Sequence, residues 1–140
     1  MELHLPALIP EDYVPDVHLR LVLYKRIATV ASREELDELK VELIDRFGPM
    51  PPYAVALLRV RQIKLRAAVL GIRKIDAGAA SGYVVFEPVN RIDAARVLGL
   101  IQSRPKEYRL EGPFKLRFAH DARSEERLFA RVELLLDQLS

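Results

Sequence analysis

The chain has 140 residues, half of them hydrophobic, with 22 Lys+Arg against 20 Asp+Glu, nine Pro and no Cys. Lack of cysteine excludes disulfide frameworks, thiol nucleophiles and cysteine-based zinc sites. A net charge of +2 with abundant Leu, Val and Ile excludes the disordered class, and no run reaches the roughly 18 apolar residues of a membrane span.

At this length one domain over residues 1–140 is expected, with a core that needs neither metal nor crosslink. The start has an acidic second residue and early prolines where a signal peptide would carry a basic and then apolar run, which points to the cytoplasm. Pro6, Pro10 and Pro15 fix their own backbone angles and push the residues before them toward extended conformations, predicting an extended arm over 1–16. A helical part is predicted over 17–71. Its first helix opens after Pro15 with Asp16 as cap and carries Leu19, Leu21, Val22, Leu23, Tyr24 and Ile27. Ser32 followed by Glu35 is a capping box for a second helix, stopped by Gly48 and Pro49. Pro51 and Pro52 start a third helix running to Gly71. At 100° per residue it has one apolar arc of Val55, Leu57, Leu58, Leu65, Ala68 and Val69, and another of Val60, Ile63, Ala67 and Leu70, the pattern of a helix buried on two sides.

From Gly71 the period shortens, and residues 72–140 read as sheet plus helices. Ile72 to Ile75 and Tyr83 to Phe86 form a hairpin around a turn-rich Asp76 to Gly82. Asn90 or Asp93 caps a short helix through Val97, Leu98 and Ile101. Tyr108 to Leu110 and Phe114 to Phe118 form a second hairpin, Leu116 and Phe118 on one face and Lys115 and Arg117 on the other. Ser124 leads a closing helix with Leu128, Val132, Leu135, Leu136 and Leu139 on one side. The class is α+β: N-terminal helices, an antiparallel ββαββ unit and a C-terminal helix.

Catalytic patterns are missing: the sequence contains no phosphate-binding loop, no dinucleotide fingerprint, no nucleophile elbow and no zinc-protease helix. His4, His18 and His120 are dispersed, and His120-Asp121 reads as a solvated turn before it reads as an acid/base pair. No enzyme activity, cofactor or metal is expected. Two other features stand out. Glu35, Glu38, Glu42 and Asp45 fall within about 80° on the second helix, with Arg46 beside them, while Leu36, Leu39, Leu43 and Phe47 occupy a separate arc. Such a stripe is either a solvated face or a contact surface. Arg61 lies inside an apolar arc of the third helix, as an ion-paired structural arginine or one that snorkels.

The runs LHLPALIPEDYVP (3–15), LYKRIA (23–28), KVELIDRFG (40–48), LGIRKI (70–75) and YRLEGPFKLRF (108–118) closely resemble the C-terminal domain of the bacterial transcription-repair coupling factor family. The likeness spans nearly the whole chain in order, without the family's ATP-binding and translocase motifs, its polymerase-binding domain or its UvrB-like module. The resemblance implies a non-catalytic regulatory domain. It would dock on the UvrB-like module of the same protein, mask the surface UvrA would use, and restrain an ATP-driven DNA translocase that acts on stalled RNA polymerase. It places the docking contact on KVELIDRFG, at Glu42, Asp45 and Arg46; Glu35 and Glu38 join on helical geometry alone. No membrane contact is implied, and direct nucleic-acid binding is not expected from it.

Charge supports an alternative. Residues 1–58 carry six basic and ten acidic side chains, residues 59–117 thirteen and five, and residues 118–140 three and five. The basic middle reads either as a segment neutralised by its flanks or as a nucleic-acid-binding module, with Arg73, Lys74, Arg91, Arg96, Lys115 and Arg117 meeting phosphates and Tyr83 and Phe86 stacking on bases.

Overall fold

The computed structural model describes residues 7–119 and 125–140. The expectations for His4, for His120-Asp121 and for the Ser124 cap lie outside the described residues, as does the start of the arm. The elements follow in the order α1 (Val17–Thr29), α2 (Arg33–Phe47), α3 (Pro52–Leu70), β1 (Ile72–Ala77), β2 (Ser81–Phe86), α4 (Ala94–Ser103), β3 (Tyr108–Leu110), β4 (Lys115–Ala119) and α5 (Glu125–Leu139). Five helices and a four-stranded antiparallel sheet make the fold α+β. The chain gathers into two compact units whose boundary, between Leu65 and Arg66, falls within α3.

In the helical unit, local chemistry sets the ends of each helix. Asp16 Oδ1 accepts from the amides of His18 and Leu19 and starts α1. Ser32 Oγ accepts from Glu35 N, and the Glu35 carboxylate reaches back to Ala31 N, one residue earlier than in the usual reciprocal box. Leu23 and Ile27 of α1, Leu36, Leu39 and Leu43 of α2, and Leu58 of α3 share a core with Ile9, Val14 and Val30. Two phenols fasten the segment before α1: Ile9 N donates to Tyr24 Oη at 2.7 Å, and Tyr13 Oη donates to the carbonyls of Leu43 and Gly48 at 3.2 and 2.8 Å. Burial raises the pKa of Tyr13, keeping it a donor.

The third helix follows its predicted arcs only in part: Leu58, Ile63 and Ala67 are buried as expected, whereas the first arc fails at Val55, Ala68 and Val69, which are exposed. Val55 and Val69 are 41% and 65% exposed, while Ala54, Ala56, Leu58, Ile63 and Ala67 are buried. A projection weights residues by hydrophobicity, but small side chains can also be buried, and Ala54 and Ala56, outside both arcs, are 2% and 4% exposed. Among the described residues Arg61 has no carboxylate partner, nor does it reach into water with all its nitrogens. Its Nη2 donates to the carbonyl of Val30, the C-cap of α1, at 2.6 Å, and its Nε is buried without a partner.

In the sheet unit the strand order is β1-β2-β4-β3. The turn expected over Asp76 to Gly82 shrinks to residues 78–80, because Asp76 pairs with Tyr83 and Ala77 with Gly82 in the ladder. Gly71 stands at φ +80°, and a Cβ there would lie 2.6 Å from the Cα and Cβ of Asn90, so only glycine fits between α3 and β1. Asp93 caps α4 through Ala95 N, whereas the other candidate, Asn90, closes its own turn by accepting from Ile92 N. Ile75, Val84, Leu116, Phe118 and Tyr108 are buried on one sheet face. Against them Arg131 of α5 places its guanidinium 5.3 Å from the Tyr108 ring and 5.1 Å from the Phe118 ring, and donates to Tyr108 Oη. Leu128, Val132, Leu135, Leu136 and Leu139 are buried, as their spacing predicts.

Candidate functional site: an acidic helix face

The sequence of α2 alternates a short apolar stripe with carboxylates, so the helix buries Leu36, Leu39 and Leu43 and turns its acids outward. Glu35, Glu38 and Asp45 are exposed and Glu42 is half-buried. Beside them lies a shallow groove of about 320 Å³, lined by Arg26, Thr29 and Val30 from the end of α1 and by Glu35, Glu38, Leu39 and Glu42 from α2. The structure thus brings three of the five expected residues to one groove. Asp45 and Arg46 lie one turn farther along the helix, outside its lining.

Glu42 differs from the other acids. Its two oxygens accept from Nη1 and Nη2 of Arg26, and Arg46 Nη1 stands 3.6 Å from it. The hydrogen bond from Arg26, followed by the charges of Arg26 and Arg46, lowers its pKa despite an opposing desolvation effect. The same hydrogen bond raises the pKa of Arg26. The carboxylate therefore clamps α1 to α2, and part of its charge is spent within the domain. Arg46 also lies 5.0 Å from the Phe47 ring centroid. Arg26 escaped sequence reasoning, since it stands sixteen residues from Glu42 and is otherwise only a basic residue in the last turn of its helix.

Apolar exposure beside the stripe was also missed. Val41 is 67% and Ile44 43% exposed, although both sit in a helix with a well-filled core side. Projection at 100° per residue puts Val41 next to Asp45. The surface is therefore acidic with an apolar shoulder, suited to a partner that offers cations around a small apolar contact. Among the described residues no cluster of three metal-ligating side chains occurs, and no helix is long and apolar enough to cross a membrane.

The family model described as the TRCF domain matches residues 3–97. The transcription-repair-coupling factor of Escherichia coli (strain K12) is 45% identical over 121 residues, covering 86% of this chain and 10% of that protein. The transcription-repair-coupling factor of Haemophilus influenzae is 42% identical over 139 residues, covering 99% of this chain and 12% of that protein. The chain thus spans about a tenth of the length of these curated relatives. A solved C-terminal domain of transcription-repair coupling factor superposes with a TM-score of 0.81 at 22% identity, covering 99% of this chain and 89% of that one, and so shares its fold.

Proposed function

The chain belongs to the TRCF domain family of bacterial transcription-repair-coupling factors, and on that premise we propose that it is a non-catalytic docking domain that restrains the rest of such a protein. Its partner in this reading is the UvrB-like module of the same polypeptide. Docking masks the surface for UvrA and holds back the translocase until RNA polymerase is engaged. The observation that carries the reading is the α2 face: Glu35, Glu38 and Asp45 exposed, Glu42 pinned by Arg26 and Arg46, and Val41 standing out beside them.

The energetics suit a lock that opens. Ion pairs at a solvated rim contribute on the order of 0.2–1 kcal/mol each, and a tethered partner needs only a few of them to stay bound. Because Glu42 is already held by Arg26, Glu38 and Asp45 present the charge and Glu42 sets the spacing of α1 and α2 beneath it. The direct experiment titrates an isolated UvrB-like module with wild-type chain and with the Glu38→Ala/Asp45→Ala variant, thermal melts alongside. The variant should fold within about 0.5 kcal/mol of wild type and bind more weakly, with Glu38→Lys/Asp45→Lys weaker still through added repulsion. Equal affinities for all three would return the stripe to a solvated face.

A further inference from the structure

The sheet has a second face, and it is basic. Strand pairing lays two rungs across it: Asp76, Tyr83, Arg117 and Arg109 in one, and Lys74, Val85 and Lys115 in the other, continued by Glu111. Three cations surround the Tyr83 ring, with Lys115 Nζ at 4.2 Å from its centroid and Lys74 Nζ and the Arg117 guanidinium each at 5.6 Å. Arg109 and Arg117 are direct cross-strand partners, an arrangement that destabilises a sheet unless an anion lies between them. Glu111 is that anion. It accepts from Arg109 Nη2 at 2.8 Å and from Arg117 Nε, and lies 3.6 Å from Lys115 Nζ. One carboxylate thus serves three cations; with Asp76 the two rungs still carry four cations (Lys74, Arg109, Lys115, Arg117) against two acids, leaving surplus positive charge, and the Arg109 side chain is 73% exposed.

We propose that this face binds the phosphate backbone of duplex DNA, with Arg109 and Arg117 as forked donors, Lys74 and Lys115 as point charges, and Glu111 as the internal anion a phosphate displaces. Neighbouring strands lie about 4.8 Å apart, so these cations spread over roughly 14 Å from β1 to β3, facing a polymer with one negative charge per about 1.7 Å of axis. A single strand fits less well. Its binding relies on bases stacking on open aromatic rings; Phe86, expected to stack, is only 6% exposed on the buried side, and the Tyr83 ring is occupied by cations. An acidic protein surface would want an apolar anchor, and the rungs offer half-buried Val85 and a half-buried Tyr83 whose ring is already covered by cations. Arg91 and Arg96 lie outside the rungs, at the approach to α4 and in its first turn.

The test is fluorescence anisotropy of a labelled 20-base-pair duplex titrated with the full chain between 50 and 200 mM salt, each variant checked by circular dichroism. About three to four phosphate contacts predict a log–log salt slope near −3, a loss of roughly 60-fold across that range. Arg109→Ala, which removes a 73% exposed side chain, should weaken binding and flatten the slope by about 1, as should Lys115→Ala. Glu111→Gln should tighten binding, because it removes the competing anion, and Glu38→Ala/Asp45→Ala should leave it unchanged. No binding at 50 mM salt, preference for a single strand or for a polyglutamate peptide over the duplex, or indifference to Glu111→Gln would each overturn the proposal.

Discussion

Glu42 in the helical unit and Glu111 in the sheet unit are both half-buried carboxylates shared among cations, and both have lowered pKa values for the same reasons, arginine hydrogen bonds followed by charge. Their surroundings are opposite. Glu42 is one acid on an acidic helix face, and its arginines leave the neighbouring carboxylates over. Glu111 is one acid on a basic sheet face, and what is left over is positive. A perturbed carboxylate therefore reports the geometry of its partners and says little about the sign of the surface around it; that sign follows from the residues the pairing does not consume.

The largest test of the contrast lies in the cores beneath the two surfaces. Phe118, 1% exposed, supports the sheet, and Phe118→Ala should cost about 3–5 kcal/mol; Leu23→Ala in the helical unit should cost about 2–5 kcal/mol. Hydrogen exchange should show amide protection lost mainly from residues 72–119 in the first variant and mainly from α1 and α2 in the second. Uniform loss in both would mean that the two regions open as one. A smaller effect is expected for Tyr13→Phe, which removes the one phenolic proton shared between two carbonyls at the C-terminal end of α2 and should cost about 1–2 kcal/mol in urea unfolding.

The smallest effect is the acid limb of stability. Both glutamates sit below their ordinary value of 4.5 when folded, so what they contribute is present in full above that value and is lost as pH falls through the folded pKa. Glu42→Gln and Glu111→Gln should each flatten the stability profile between about pH 5 and 3, and the double variant should flatten it by nearly the sum, since the carboxylates share no partner. A profile unchanged by either substitution would mean that the ion pairs hold no better in the folded chain than in the unfolded one.

Legibility followed the range of the interaction. Caps were readable because their chemistry is local: Asp16, Ser32 and Asp93 each bond amides within three residues. The apolar faces of α2 and α5, and the alternation of Leu116 and Phe118 with Lys115 and Arg117, came through for the same reason. The acidic stripe was legible as a face, but not the Arg26 clamp that removes Glu42 from the accessible charge. The two hairpins were readable singly, whereas the β2–β4 pairing that sets Tyr83 against Arg117 joins residues 34 apart and has no local signature. Phe86 looked like a stacking residue until the ladder assigned it to the buried face, and the first arc of α3 failed at Val55, Ala68 and Val69, which are exposed, while Ala54 and Ala56, inconspicuous on any hydropathy scale, are buried.

The sharing of Glu111 constrains how this surface can have been assembled over evolutionary time. With Arg109 and Arg117 directly opposed, a lineage that acquired the second guanidinium before the acid would have passed through a repelling pair between β4 and the three-residue edge strand β3. The easier order places the carboxylate first, then one arginine, then the other. Positions 109, 111, 115 and 117 should accordingly change together among relatives, and a relative that has lost the acid should have lost at least one of the cations with it.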